Sequence, residues 1–265
     1  MKPSILITGA YGGMGRATAK TLRDRGFRVF ALDRKVGDVE EGILPIEADI
    51  TSEESVKRAF EAVCRETDEL VAIIHFAGIY MLDSLIEMEH ADFDRIFGIN
   101  LGGVFLVNKI FLPLLKKNAR IVITTSELAP LAPLPFTGLY AVTKSALDQY
   151  AYSLAMELQL LGISVSVLRA GAVDTGMLGV STAALDRFVN ETALYSCNAN
   201  RFKKIVDGVE AKKIPPEKVA RKAEKIISKS SSRFVNHINR NPLLLLLNVL
   251  PRSVQLAVIR KILKP

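Results

Sequence analysis

The chain has 265 residues, 49% hydrophobic and 24% charged, which suits one α/β domain with a large core and excludes disordered, collagenous and solenoid classes. Its net charge of +7 is uneven: residues 1–200 carry −5, and residues 201–265 carry +12 from 16 Lys/Arg against 4 Asp/Glu. An acidic body argues against a nucleic-acid groove, and the basic end points to an anionic surface or an acidic partner.

The first predicted strand, residues 4–8, holds only Ile5-Leu6-Ile7 as an apolar stretch, too short for a signal-peptide core. It runs into Thr8-Gly9-Ala10-Tyr11-Gly12-Gly13-Met14-Gly15, and a helix is predicted over 14–25. Glycines at 9, 13 and 15 permit a tight turn that brings backbone N–H groups and a helix N-terminus against a pyrophosphate. A plain strand–helix turn is the bland alternative, but a glycine loop between a chain-opening strand and a helix is the setting of a dinucleotide site. The second strand, 28–33, ends at Asp33, where a carboxylate would accept ribose hydroxyls and repel a 2′-phosphate. NAD is therefore expected, and Arg34 and Lys35 keep NADP open. The third strand, 43–48, leads to Asp49 and Ile50, with Asp49 placed to take the adenine amino group.

Further strands are predicted over 70–76, 120–125 and 163–168, with helices over 52–65, 92–115 and 140–161. Ser52, with Thr51 and Ser55 beside it, offers N-cap chemistry. Ile73-Ile74 and Ile121-Val122-Ile123 are continuous apolar runs, as a sheet covered on both faces requires. Such alternation means parallel βαβ units in a doubly wound sheet with helices on both faces. Residues 171–213 read as an excursion with helical pieces, of which 176–213 is the expected substrate lid. Pro215-Pro216-Glu217 opens another helix, and 233–237 is a last edge strand. Residues 1–240 thus form the catalytic domain, and 241–265 an apolar and basic helical segment.

Tyr140 and Lys144 stand four apart on one face of a predicted helix. An ammonium beside a phenol favours the phenolate, so the sequence predicts a lowered Tyr140 pKa and proton exchange at moderate pH. Ser126 ends a strand 14 residues earlier, where its hydroxyl can hold a substrate carbonyl. Asn100 is expected to kink the helix over 92–115 and to anchor a water to Lys144. Cys64 and Cys197 have no metal-like spacing, so free thiols, a cytoplasmic location and no metal are expected.

Residues 8–15, Asp49, Ala77-Gly78, Asn100, Ser126, Tyr140 with Lys144, and Gly171 with Thr175 resemble, in order and spacing, the motifs of the short-chain dehydrogenase/reductase family. The resemblance spans about residues 4–240. It implies a single Rossmann-like domain with a seven-stranded parallel sheet and a catalytic set of Asn100, Ser126, Tyr140 and Lys144. It implies a cofactor held along Gly9, Tyr11, Gly12, Gly13, Met14, Gly15, Asp33, Arg34, Asp49, Ile50, Ala77, Gly78, Tyr140, Lys144, Gly171, Val173 and Thr175. Tyr140 would protonate a carbonyl while hydride passes from the nicotinamide. Two departures stand out: His75-Phe76 precedes Ala77 where the family has two asparagines, and Ala170 replaces a proline before Gly171. His75 is expected to replace some of the lost amide bonds as a structural group.

The substrate walls are expected from residues 127–139, from the region around 79–85 and from the lid after Thr175, with substrate against Ser126, Leu128, Leu134, Tyr140 and Met177. Leu131, Phe136, Leu139, Leu178 and Val180 extend the apolar walls, which suit a lipophilic alcohol. The basic, Leu-rich end is similar to that of bacterial members related to hydroxysteroid and retinol dehydrogenases, which makes a hydroxysteroid the expected substrate. An NADP-linked carbonyl or 3-oxoacyl reductase and a non-enzymatic cofactor-binding scaffold are the alternatives. Val254, Val258, Ile259, Ile262 and Leu263 share a helical face, so 241–265 is expected to cover the substrate mouth or touch a membrane, with docking of that face on its own domain or on a partner subunit as the bland alternative. Family members commonly form dimers or tetramers, and the helices over 92–115 and 140–161 would supply the interface.

Overall fold

The computed structural model describes residues 2–37, 40–208, 212–229 and 233–264. Its strands are β1 (Ser4–Thr8), β2 (Arg28–Asp33), β3 (Ile43–Glu47), β4 (Leu70–His75), β5 (Leu115–Thr124), β6 (Ser164–Ala170) and β7 (Val235–Ile238). They form one sheet in the order β3-β2-β1-β4-β5-β6-β7, and every pairing is parallel. The helices are α1 (Gly13–Asp24), α2 (Glu53–Cys64), α3 (His90–Phe97), α4 (Gly103–Phe111), α5 (Gly138–Leu158), α6 (Gly176–Glu191), α7 (Ser196–Gly208), α8 (Pro216–Ser228), α9 (Pro242–Val249) and α10 (Arg252–Leu263). Strand order reverses between β1 and β4, so a crevice opens beyond their carboxyl ends.

Alternate side chains along each strand supply two cores. Leu6, Phe30, Ile73 and Ile121 pack with Val56, Val107, Phe111 and Leu147 of α2, α4 and α5. Ile5, Ile7, Val29, Ile74 and Val122 face the other way, onto Ala19 and Leu22 of α1 and Val219 and Ala223 of α8. The helical segment His90–Leu114 is long and apolar enough by composition to cross a membrane. Here Val104, Val107 and Phe111 bury it in the first core instead.

The predicted strands are present, with one marked shift. The helix expected over 92–115 stops earlier, and β5 starts at Leu115 rather than 120. Lys116-Lys117-Asn118 has no apolar period to reveal a strand, and its register slips between Leu70↔Leu115 and Ala72↔Arg120. The predicted kink at Asn100 is a five-residue π-helical turn, Gly98–Gly102, between α3 and α4.

Helices α6 and α7 close over the crevice with a small core of their own: Leu82, Leu185, Phe188, Ala199, Phe202 and Leu263. Phe136 belongs to it, which corrects its expected place on the substrate wall. It stacks on Phe188 at 4.6 Å, and these ring contacts offset the cost of its left-handed backbone, φ 63°. Leu139 is likewise buried with Met81 and Ile96 rather than lining the substrate space. The side chains of Leu178 and Val180 lie outside the described residues.

The C-terminal helices fold back on the domain. Glu127 Oε2 accepts from Asn241 N at 2.6 Å, and Asn248 Oδ1 accepts from Ala132 N at 2.6 Å. Asn198 Nδ2 donates to Leu263 O at 2.7 Å, and the Arg201 guanidinium donates to Lys264 O.

Candidate active site

The glycine loop sits between β1 and α1. Gly9 adopts φ +68°, and a Cβ there would lie 2.5 Å from Ala77 N. A Cβ on Gly15 would lie 2.1 Å from Gly9 O, and one on Gly13 would lie 2.6 Å from Thr175 Cγ2. The loop is therefore drawn tight against the start of its helix, the turn after β4 and Thr175. Gly12 caps α1 with no side chain, so the first N–H groups of the helix keep their capacity for an anion.

Asp33 Oδ2 accepts from Tyr11 N at 3.0 Å, and its Oδ1 accepts from Arg34 N at 2.8 Å. The carboxylate thus pins the glycine loop to the end of β2, and each oxygen retains a lone pair for a ribose hydroxyl. Asp49 Oδ1 accepts from both N and Oγ1 of Thr51, bonds that lower its pKa. The Ile50 side chain is buried in the core, pressed toward Gly103, so only its backbone remains for a ligand. Val173 is buried and bridges to Ile214, and Gly171 packs so closely on Asn239 O that a Cβ would lie 1.8 Å from it. These residues fit a dinucleotide: a side-chain-free helix start, a carboxylate at the β2 end and a tight wall at Gly171–Thr175.

The four residues expected to be catalytic converge at the carboxyl ends of β4 and β5. Tyr140 and Lys144 rise from the first turns of α5, both buried. Tyr140 shares a hydrogen bond with Ser126, while burial pushes its phenol up to about 12. The lowering expected from Lys144 is overturned: burial also holds that ammonium down, to about 8. Its Nζ lies 5.8 Å from the Tyr140 ring and donates to Thr124 O at 3.3 Å. Desolvation of both groups outweighs their attraction.

Asn100 acts as a clamp. Its Oδ1 accepts from Ile79 N at 2.8 Å, and its Nδ2 donates to Ile79 O at 3.1 Å and to Thr143 Oγ1 at 3.1 Å. Its amide ties the turn after β4 to α5 directly, beyond the water-anchoring role expected of it. Gly78 lies between the two functional groups: a Cβ there would sit 3.1 Å from Asn100 Oδ1 and 3.4 Å from Lys144 Nζ.

A cavity of about 600 Å³ opens above these groups. Ser126, Leu128, Leu134, Tyr140 and Met177, the residues expected to meet substrate, line it, and Leu131 does not. Val258, Ile259, Ile262 and Leu263 of α10 line it with Leu243, Leu244 and Leu247 of α9. The C-terminal segment thus forms part of the cavity wall.

Tyr80, inside the wall expected around residues 79–85, packs on Tyr140, ring centroids 4.9 Å apart, and lines the cavity. One site residue escaped the sequence. Thr124 Oγ1 is buried beside the cavity with no partner among the described residues, an orphan hydroxyl available to a ligand. Among the described residues no cluster of His, Cys, Asp and Glu could hold a metal.

Residues 3–186 match the family model described as short chain dehydrogenase. An uncharacterized oxidoreductase of Escherichia coli K12, YbbO, is 36% identical over 182 residues, covering 66% of this chain and 67% of the relative. Estradiol 17-beta-dehydrogenase 2 of Mus musculus is 31% identical over 190 residues, and the match spans 66% of this chain and 49% of the mouse protein. The fold is similar to the solved 3-ketoacyl-(acyl-carrier-protein) reductase of Brucella melitensis in complex with NADH, with TM-score 0.72, 24% identity, and coverage of 89% and 95%.

Proposed function

The chain belongs to the short-chain dehydrogenase family, an NAD(P)-dependent alcohol dehydrogenase/ketone reductase, and we propose that it interconverts a lipophilic secondary alcohol, specifically a hydroxysteroid, and its ketone. The observation that carries this reading is the position of Ser126 and Tyr140, with Lys144 buried beside Tyr140, at a cavity of about 600 Å³ whose walls are mostly apolar and whose Glu127 and Asn241 are paired with each other. A rigid, bulky apolar substrate with one reacting oxygen matches that chemistry.

The cofactor, when bound, supplies or accepts hydride. The chain's own residues manage the oxygen and its proton. Ser126 Oγ, which also accepts from Leu128 N at 3.2 Å, orients the substrate oxygen beside the Tyr140 hydroxyl. With its phenol pushed up to about 12, Tyr140 is protonated at neutral pH, poised to donate to a ketone. As that proton leaves, the Lys144 ammonium favours the phenolate. Asn100 and Thr143 hold the helix that carries both groups, and Leu244, Leu247 and Ile259 exclude water. Asp33 supports NAD, and Arg34 beside it supports NADP as a second cofactor.

Exposed Phe105 on α4 and Val142, Tyr152 and Met156 on α5 support assembly into a homodimer or homotetramer through these helices. The exposed free thiols of Cys64 and Cys197 support a cytoplasmic location. The test is a panel of steroid alcohols and ketones and of 3-oxoacyl thioesters, each with NAD(H) and NADP(H), followed by reduced-cofactor absorbance. Turnover of steroids with NAD(H) is expected. Turnover of thioesters alone overturns the substrate proposed.

A further inference from the structure

Four residues both line the cavity and are exposed, and so mark its mouth: Ile205 and Val206 on α7, Leu243 on α9 and Ile262 on α10. All are apolar, with exposures from 39% to 58%. The apolar surface continues outward through residues that do not line the cavity. Leu246, Val249 and Leu256 are 67%, 80% and 72% exposed. Inward-facing Leu263 and Ile259 already dock α10 on the domain core, so the outward face is additional to that docking. An apolar surface of this extent around an opening marks an interaction site.

Its charge identifies the partner. Residues 241–265 contain Arg252, Arg260, Lys261 and Lys264 and no Asp or Glu. Exposed Arg260, Lys261 and Lys264 line a shallow groove with Leu256 on the outer side of α10. Lys204 on α7 adds a further exposed cation, while Lys203 is engaged by Asp186 and Asp207. Exposed leucines ringed by cations complement a bilayer with anionic headgroups: the side chains enter the acyl boundary and the cations meet phosphates.

We propose that α9 and α10 rest on an anionic lipid bilayer with the cavity mouth turned toward it, so that a lipophilic substrate enters from the lipid. The substrate half of this proposal rests on the function proposed above; adsorption to vesicles is measured without any substrate and stands or falls alone.

The full chain is sedimented with vesicles of phosphatidylcholine alone and of phosphatidylcholine mixed with phosphatidylglycerol. Partition onto the mixed vesicles is expected to be at least about tenfold stronger and to fall with added salt. A triple variant, Leu246→Gln, Val249→Gln and Leu256→Gln, is expected to bind at least about tenfold more weakly. It should keep the parent's thermal transition and its turnover of a water-soluble ketone. A second variant, Arg260→Gln with Lys261→Gln, should lose the preference for anionic vesicles. The proposal is overturned if the parent binds neither vesicle, or if both variants bind as the parent does. It is equally overturned if the triple variant changes oligomeric state while the parent ignores vesicles, because the patch then belongs to a second copy of the chain.

Discussion

His75 Nε2 lies 2.9 Å from Asn108 Oδ1, and this contact fixes how the whole ring is used. An amide oxygen only accepts, so Nε2 donates, and Nδ1 is left to accept from Thr8 Oγ1 at 3.3 Å. Asn108 Nδ2 in turn donates to Tyr150 OH at 3.2 Å. A buried polar chain therefore runs from the first strand, beside the glycine loop, through β4 and α4 to α5. It performs the bracing expected of His75.

That chain holds His75 neutral: burial lowers its pKa to about 4. The unfolded chain, with an ordinary imidazole, binds an extra proton between about pH 6.5 and 4. Stability should therefore be constant above about pH 6.5 and fall as pH drops toward 4, by about 3 kcal/mol from this one group. Urea unfolding of the parent and of His75→Gln at pH 7 and pH 4.5 checks it. The variant should lose less stability than the parent on acidification.

Replacing Tyr140 by Phe removes the proton donor and leaves the ring against Tyr80. Turnover should fall by about 10² to 10⁴ while cofactor affinity, read by fluorescence titration, stays within a few-fold. A Phe variant as active as the parent overturns the role assigned to the hydroxyl.

Direction of reaction should set the pH profile. Reduction draws on a phenol that burial keeps protonated, so kcat/KM for a ketone should be level from pH 6 to 8. Oxidation needs the phenolate and should rise about tenfold per pH unit over that span. The rise should flatten above pH 8, because Lys144, held down to about 8, then loses the charge that favours phenolate. Oxidation rates independent of pH from 6 to 8 contradict this assignment.

Asp33→Ala should erode preference for NAD. It relieves repulsion of a 2′-phosphate and leaves Arg34 beside the site. Because Asp33 also holds Tyr11 N, both cofactors should bind more weakly, and the ratio of kcat/KM for the two is the informative readout. A parent that already prefers NADP strongly contradicts the placement.

Asp148 Oδ2 lies 2.6 Å from Arg169 Nη2, and Asp148 Oδ1 accepts from Thr125 Oγ1 at 3.2 Å, one residue before Ser126. Asp148→Ala leaves a mostly buried guanidinium without its partner and should cost about 3–5 kcal/mol in denaturant unfolding. Asp148→Leu combined with Arg169→Met should recover much of that loss.

The sheet was legible because its interior strands, such as Ile73-Ile74 and Ile121-Val122-Ile123, must be apolar on both faces. The site was legible because its chemistry needs fixed spacings, glycines at a turn and Tyr with Lys one helical turn apart. Burial was not legible: the sequence places a cation near Tyr140 but not the desolvation that reverses the sign of its pKa shift. Nor was the facing of Phe136, since an unusual backbone angle turns its ring into the lid. Tyr80 was legible only as part of the wall expected around residues 79–85, because the extended segment after β4 has no period to say which side chains turn inward.

The π-turn at Gly98–Gly102 constrains the chain by counting rather than by chemistry. An ordinary α-helix advances about 100° per residue, and a π-turn accommodates one residue beyond the regular repeat. Deleting one residue between 98 and 102 would restore a regular helix with α3 and α4 still on their present faces, because the widened turn absorbs the extra residue. Ile96 would then stay beside Met81 and Tyr140, and the loss would fall on the Asn100 amide, whose paired grip on Ile79 depends on where the widened turn holds it. A substitution is sterically open at Gly98, where an added Cβ meets nothing within 4 Å, and at Gly102, where it meets only Phe97 O at 3.8 Å. A one-residue change in length has no such freedom, so the spacing here is more tightly specified than the letters that fill it.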